Sequence, residues 1–325
     1  MTTNPDKAAV RALIHKRAAI ETYLERIEAR LYKARFAVLA GLRRRAERDI
    51  ERAAAASFRA VAARIDETRL ARAIRSGDID AAIAEIPIQE VLGARFRADV
   101  GREVRETVTA SGNRATQLLR QRLIRKDVDY RVRVESMRFD VLNEAVLEAM
   151  REHGAELVTE ITDSTEVALR QLLAQMLEDG VPTTSQVKRI QSVVGLHSRH
   201  VQAVENLRAK LEALGKSPKF IERRAAAKAR QLHRLRAQSI ARFESGWSTG
   251  QGQVQAWKQA RDEGIVTAQA KKVWRDAGDE LVRDEHSEMN GVKVGLDEDF
   301  VLPDGTVIAH GPTDPGCRCG VDIEP

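Results

Sequence analysis

The chain has few aromatic side chains, only two cysteines and no long apolar run, and each shortage excludes something. Aromatic residues make up 4% of the 325 residues, so any core must be built from Leu, Ile, Val and Ala carried on helices. The 43% hydrophobic content is still enough for two or three domains with real cores. No stretch approaches the ~20 apolar residues that span a bilayer, and Met1-Thr2-Thr3-Asn4-Pro5 lacks the basic and apolar regions of a signal peptide. The expected setting is therefore the cytosol, or an assembly built there. Two cysteines one residue apart, Cys317 and Cys319, suit such a reducing compartment, where disulfides do not persist. Enzyme signatures are scarce too: the sequence holds no HExxH pair, Walker phosphate loop or GxGxxG turn.

What is present is helical. Val10, Leu13, Ile20, Leu24, Ile27, Leu31, Ala34 and Val38 recur at spacings of three and four, a heptad seam that must be buried in a helical hairpin or against another subunit. Ser76-Gly77-Asp78 ends the first region, Asp78 can cap the helix that follows, and Pro87 sets the next boundary. Val141, Leu142, Ala145, Val146 and Ala149 form an apolar stripe. The stretch 179–185 reads as a hinge, with Thr183, Thr184 and Ser185 as a helix N-cap signal. Pro218 opens a long basic helix expected to end near Glu244, and the glycines of 246–252 read as a further break. Trp247 and Trp257, flanking that patch, read as packing anchors. His197 and His200 fall three apart on one helical face. Asn290-Gly291, and Pro303-Asp304-Gly305 between Val301 and Ile308, then signal two hairpins. The expected fold is mainly α, with long helices and helical hairpins and a small C-terminal α+β module containing short β-hairpins. Its expected divisions are 1–76, 77–185, 186–252 and 253–325.

Charge comes in blocks. Residues 1–135, 136–185, 186–243 and 244–325 carry +10, −7, +11 and −8, against +6 for the chain. Arg43-Arg44-Arg45 with Arg48 and Arg52, and Arg223, Arg224, Lys228 and Arg230, are candidates for phosphate contact. The simpler reading of such clusters is a solvated helix face, and no aromatics are interleaved with them for base stacking.

The last fifty residues discriminate best. In order they contain Trp274, Asp276, Asp279, Arg283, His286, Asn290, Gly291, Phe300, Pro312, Pro315, Cys317 and Cys319, after Ile240-Ala241-Arg242-Phe243-Glu244 upstream. This ordered set resembles the phage head morphogenesis family of the Mu F type over roughly residues 190–322. Members lead with an Ile-Ala-Arg-Thr-Glu segment, continue from a Trp into an Asp-rich helix bearing an Arg and a His or Cys, and end on Pro-x-His-Pro-Asn-Cys-Arg-Cys. Asp314 stands here where that histidine is common. The resemblance implies a minor head protein placed inside the virion head near the portal. Its partners would be the portal and major capsid proteins, with packaged double-stranded DNA as a further contact, and the N-terminal helices offer a route to self-association. It also implies that Arg242 and Glu244 tie the basic helix to the C-terminal module.

Two chemical readings of the module follow. His286, Cys317 and Cys319 suit a structural zinc site with His310 or Asp314 as fourth ligand, since zinc is held by imidazole and thiolate and a loop-rich module gains from such a staple. The alternative keeps the cysteines as reduced, buried side chains and His286 as a brace to a backbone carbonyl. Apart from that zinc, no cofactor is required by either. Asp276, Asp279, Asp284, Glu285 and His286, read as one helix, would also permit a metal-dependent hydrolase or toxin-like effector. A plain helical DNA-binding protein is the third class, but a non-enzymatic head protein is the expectation.

Overall fold

The computed structural model describes residues 38–123 and 128–325, together with Tyr23. The chain divides into two units, residues 1–42 and residues 43–325. In the first, the described part is chiefly a helical segment, residues 38–42. The heptad seam of residues 10–38, and the self-association expected from it, lies outside the described residues except at Val38, which is exposed.

The second unit is built of helices before it reaches any strand. Helix α1 covers residues 43–64 and is followed by α2 (Glu67–Arg75) and α3 (Ile79–Ala84). Asp66 caps α2 by accepting from Thr68 N and Arg69 N, and Asp78 caps α3 by accepting from Ala81 N at 3.0 Å, as its position suggested. Pro87 then opens two π-helical turns, Ile88–Gly93 and Phe96–Val100. Next come α4 (Gly101–Leu123), α5 (Val128–Ser136), α6 (Glu144–Glu178), α7 (Thr183–Val193), α8 (Ser198–Ala213) and α9 (Pro218–Asp262). Helix α6 starts only after the Asn143 cap, so Val141 and Leu142 precede it, and Leu142 is exposed. Pro182, rather than the Thr-Thr-Ser cluster, stands at the α7 N-cap.

Helix α9 is the spine of this unit and joins its two cores. Its first half supplies Ala225, Ala229, Leu232 and Ala241 to a core with Ile50, Phe58, Leu92, Phe96, Leu169 and Ile190. Its second half gives Val254 and Trp257 to a second core with Leu119, Trp274, Phe300, Val321 and Ile323. Aliphatic side chains dominate both, as the scarcity of aromatics requires. Arg236 is buried beside the first core, donating to Gly195 O and Ser164 Oγ, both at 2.7 Å, and burial holds its pKa down to about 10. The expected end of the basic helix near Glu244 and the break at 246–252 are both wrong. The helix runs unbroken for 45 residues. The glycines there serve close packing: a Cβ on Gly252 would meet Val108 O of α4 at 2.4 Å, and one on Gly250 would meet His310 Nδ1 at 2.5 Å. Ser111 Oγ donates to Thr249 O at 2.6 Å across the same contact.

The C-terminal module is the expected small α+β piece. Strands β1 (Lys271–Arg275), β2 (Lys293–Gly295) and β5 (Gly320–Glu324) form an antiparallel sheet in the order β2-β1-β5. The short α10 (Asp284–Glu288) lies between β1 and β2 in sequence, and β3 (Phe300–Val301) pairs with β4 (Val307–Ile308) around the Pro-Asp-Gly turn as expected. Two readings need correction. Trp274 lies on a strand, not at the head of an Asp-rich helix, and Asn290-Gly291 is not a two-residue hairpin. Among the described residues no helix is long and apolar enough to cross a membrane.

Candidate functional site: a thiol-imidazole cluster in the C-terminal module

Alternation along β1 is overridden at its end, where Lys272, Val273 and Trp274 are all buried. Trp274 makes edge contacts with Phe300, ring centres 5.3 Å apart, and with His286 at 6.1 Å. The chain leaves β1 through a loop, turns through α10 and folds back: Gly291 N donates to Trp274 O and Trp274 N donates to Val292 O, both at 2.9 Å. Gly291 adopts φ +90°, a left-handed conformation that glycine allows without strain. Asn290 Oδ1 accepts from Asp276 N at 3.4 Å. Trp274, Asn290 and Gly291 thus close one loop, and that loop presents His286.

Facing it is the segment 313–319, which two ion pairs hold across the sequence. The guanidinium of Arg283 grips Asp314 with both nitrogens, one at 2.8 Å, and Arg318 grips Asp279 in the same way, one contact at 2.6 Å. Bidentate geometry fixes orientation as well as distance. The Arg283 side chain holds the Asp314 carboxyl well below the usual range, and Arg318 lowers that of Asp279. From within the unit, the partly exposed Arg43 of α1 donates to Cys317 O at 2.8 Å and to Arg242 O at 3.3 Å. One of the candidates for phosphate contact, it points into the module instead.

Between these clamps His286, Cys317 and Cys319 meet, all buried. His286 Nδ1 stands 3.7 Å from Cys317 Sγ and 3.6 Å from Cys319 Sγ. The neighbouring Cys319 thiol holds Cys317 below the ordinary thiol range, and Cys317 together with burial pushes Cys319 above it. Neither proposed fourth ligand joins them. Asp314 is taken by Arg283, Thr313 Oγ1 and Gly316 N. His310 lies against α9 with Nε2 3.0 Å from Gln251 Oε1, and burial lowers its pKa to about 4. Nor do the acidic residues form a catalytic helix. Asp276 and Asp279 sit in the loop before α10, and among the described residues His286, Cys317 and Cys319 are the group arranged to hold a metal.

The remaining predicted residues fall elsewhere. Glu244 does not reach the module: it is buried on α9 with His153 Nε2 of α6 at 2.7 Å, and the His153 ring stacks on Trp247 at 3.6 Å. Arg242 pairs with Glu47 at 3.3 Å, and only its carbonyl is linked, through Arg43, to Cys317. His197 and His200 do share a face, stacked at 3.9 Å, and burial lowers the pKa of His200 to about 4. Arg223, Arg224 and Arg230 are exposed along the first half of α9, with Lys228 half-buried. Sequence reasoning missed Lys272, whose Nζ donates to Ala309 O at 2.7 Å while burial lowers its pKa to about 8. No local pattern separates it from its exposed neighbour Lys271.

Residues 169–322, from the last third of α6 to β5, match the family model described as Phage Mu protein F like protein. That part of the chain is similar to the Mu F-like family. Neither a curated protein nor a solved structure matches the chain. The Mu F-like region therefore starts earlier than the resemblance read from residues 190–322. It takes in α7, α8, the whole of α9 and every residue of the thiol-imidazole cluster.

Proposed function

We propose that the protein is a minor head component of a tailed phage or prophage, acting in head morphogenesis beside the portal, with the major capsid protein as its other neighbour. The match of residues 169–322 to the Mu F-like family carries this reading. Its architecture supports it: one 45-residue helix welds a helical body to a small module held by ion pairs and buried polar contacts. Such a part is suited to docking on other proteins. The exposed basic row Arg223, Arg224 and Arg230 on α9, within a block of +11 over residues 186–243, is our proposed contact with packaged DNA. We favour a structural role over a hydrolase because the module's carboxylates Asp279 and Asp314 are engaged by Arg318 and Arg283 instead of converging on an open site.

The test is a stop codon in this gene within its own phage or prophage. Infectious particles should be lost, malformed or incompletely filled heads should accumulate, and supplying the chain in trans should restore both. A mutant lysate with a normal yield of filled, infectious heads would refute the proposal.

A further inference from the structure

The cluster of His286, Cys317 and Cys319 poses a hydrogen-bond problem that packing alone leaves open. Thr313 Oγ1 donates to Asp314 Oδ2 at 2.9 Å, so toward His286 Nε2, 3.3 Å away, it can only accept. Nε2 therefore carries the proton, and the Nδ1 lone pair points at both sulfurs. One lone pair cannot satisfy two thiols. The indole N–H of Trp274, fully buried beside the cluster, has no hydrogen-bond acceptor.

The spacing supplies the answer. Zinc bonds sulfur at about 2.3 Å and imidazole nitrogen at about 2.0–2.1 Å, and at a tetrahedral angle those lengths place the two ligand atoms about 3.5 Å apart. The observed separations are 3.7 and 3.6 Å, with all three ligand atoms within 4.8 Å of one another. We propose that His286 Nδ1, Cys317 Sγ and Cys319 Sγ together bind one zinc ion. Binding replaces two S–H protons, released to solvent, with two zinc–sulfur bonds, so the ion and its thiolates form a neutral unit. The fourth position opens on a cavity of about 30 Å³ lined by Ala277, Leu281, Val282, Arg283, Gly316 and Arg318, room for one water. Asp314 belongs to the supporting shell: through Thr313 it fixes the tautomer of His286, as carboxylates behind ligating histidines do.

The test uses the full-length wild-type chain, expressed with zinc and purified without chelator. Elemental analysis should find one zinc per chain. Cobalt substitution should produce a thiolate-to-cobalt absorption band and the intense visible bands of a four-coordinate site. Cys319→Ser should lower bound zinc at least tenfold, while Thr313→Val, which keeps every ligand, should weaken zinc affinity by about 10–100-fold. A wild-type chain without stoichiometric zinc and without the cobalt band would overturn the site whatever the variants do. Unchanged affinity in Thr313→Val would overturn the tautomer on which it is built.

Discussion

Replacing Gly252 with alanine should destabilise the protein by about 2 kcal/mol or more, although alanine is the better helix former. Gly252 lies inside α9, where a Gly to Ala change alone gains roughly 1 kcal/mol of helix propensity. Here the new methyl would sit 2.4 Å from Val108 O and 2.8 Å from Gly112 N, both backbone atoms of α4. Backbone cannot rotate away as a side chain can, so α4 and α9 must separate, and overpacking of this kind costs typically 1–3 kcal/mol and sometimes more. Their parting would also strain the Ser111 to Thr249 hydrogen bond. Gly154 of α6 is the matched control, since a Cβ there meets nothing within 4 Å. Gly154→Ala should stabilise by about 0.5–1 kcal/mol. Denaturant unfolding of the two variants should therefore shift in opposite directions. Equal, stabilising shifts would mean that α4 and α9 do not approach as described.

Reversing the charge of Arg223, Arg224, Lys228 and Arg230 should abolish binding to double-stranded DNA. The three arginines are exposed on α9, Arg223 lying over the Phe220 ring at 5.3 Å, and Lys228 is half-buried beside them. A row of cations without stacking aromatics gains its affinity by releasing phosphate counterions, and so reads no sequence. Wild-type binding should then be independent of sequence and fall by ~10³ between low and moderate salt if six or more phosphates are met. The same steep salt dependence in the reversed variant, at unchanged affinity, would place the contact elsewhere. No binding by the wild-type chain would remove DNA from the account. None of the four makes the contacts that hold the Cys317–Cys319 segment, so the fold should survive the change.

How much of this was legible in the sequence depended on range. Caps and breaks set by near neighbours were readable: Asp78, Pro87, Pro218 and the Pro303-Asp304-Gly305 turn all act as expected. Glycine was ambiguous because the same residue frees a backbone and lets a backbone come close. At Gly250 and Gly252 closeness wins, since α9 is pressed on both sides and cannot bend. Trp274 was misplaced because β1 pairs with β5, nearly fifty residues on, and that pairing leaves no local period. The meeting of His286 with Cys317 and Cys319 was foreseen from residue type. The fourth ligand was not, because Asp314 is claimed by Arg283 and Asp279 by Arg318, pairings 31 and 39 residues apart in sequence. Arg43 could not have been found at all: nothing in a run of arginines marks which one turns inward.

The central claim, that this is a component of a phage head, is tested most directly by measuring the chain in particles purified from an induced lysate. Quantitative mass spectrometry of procapsids and filled heads should find it in both, at a few copies per portal and far below the major capsid protein. Its absence from both, with the chain left in the soluble fraction, would contradict the account.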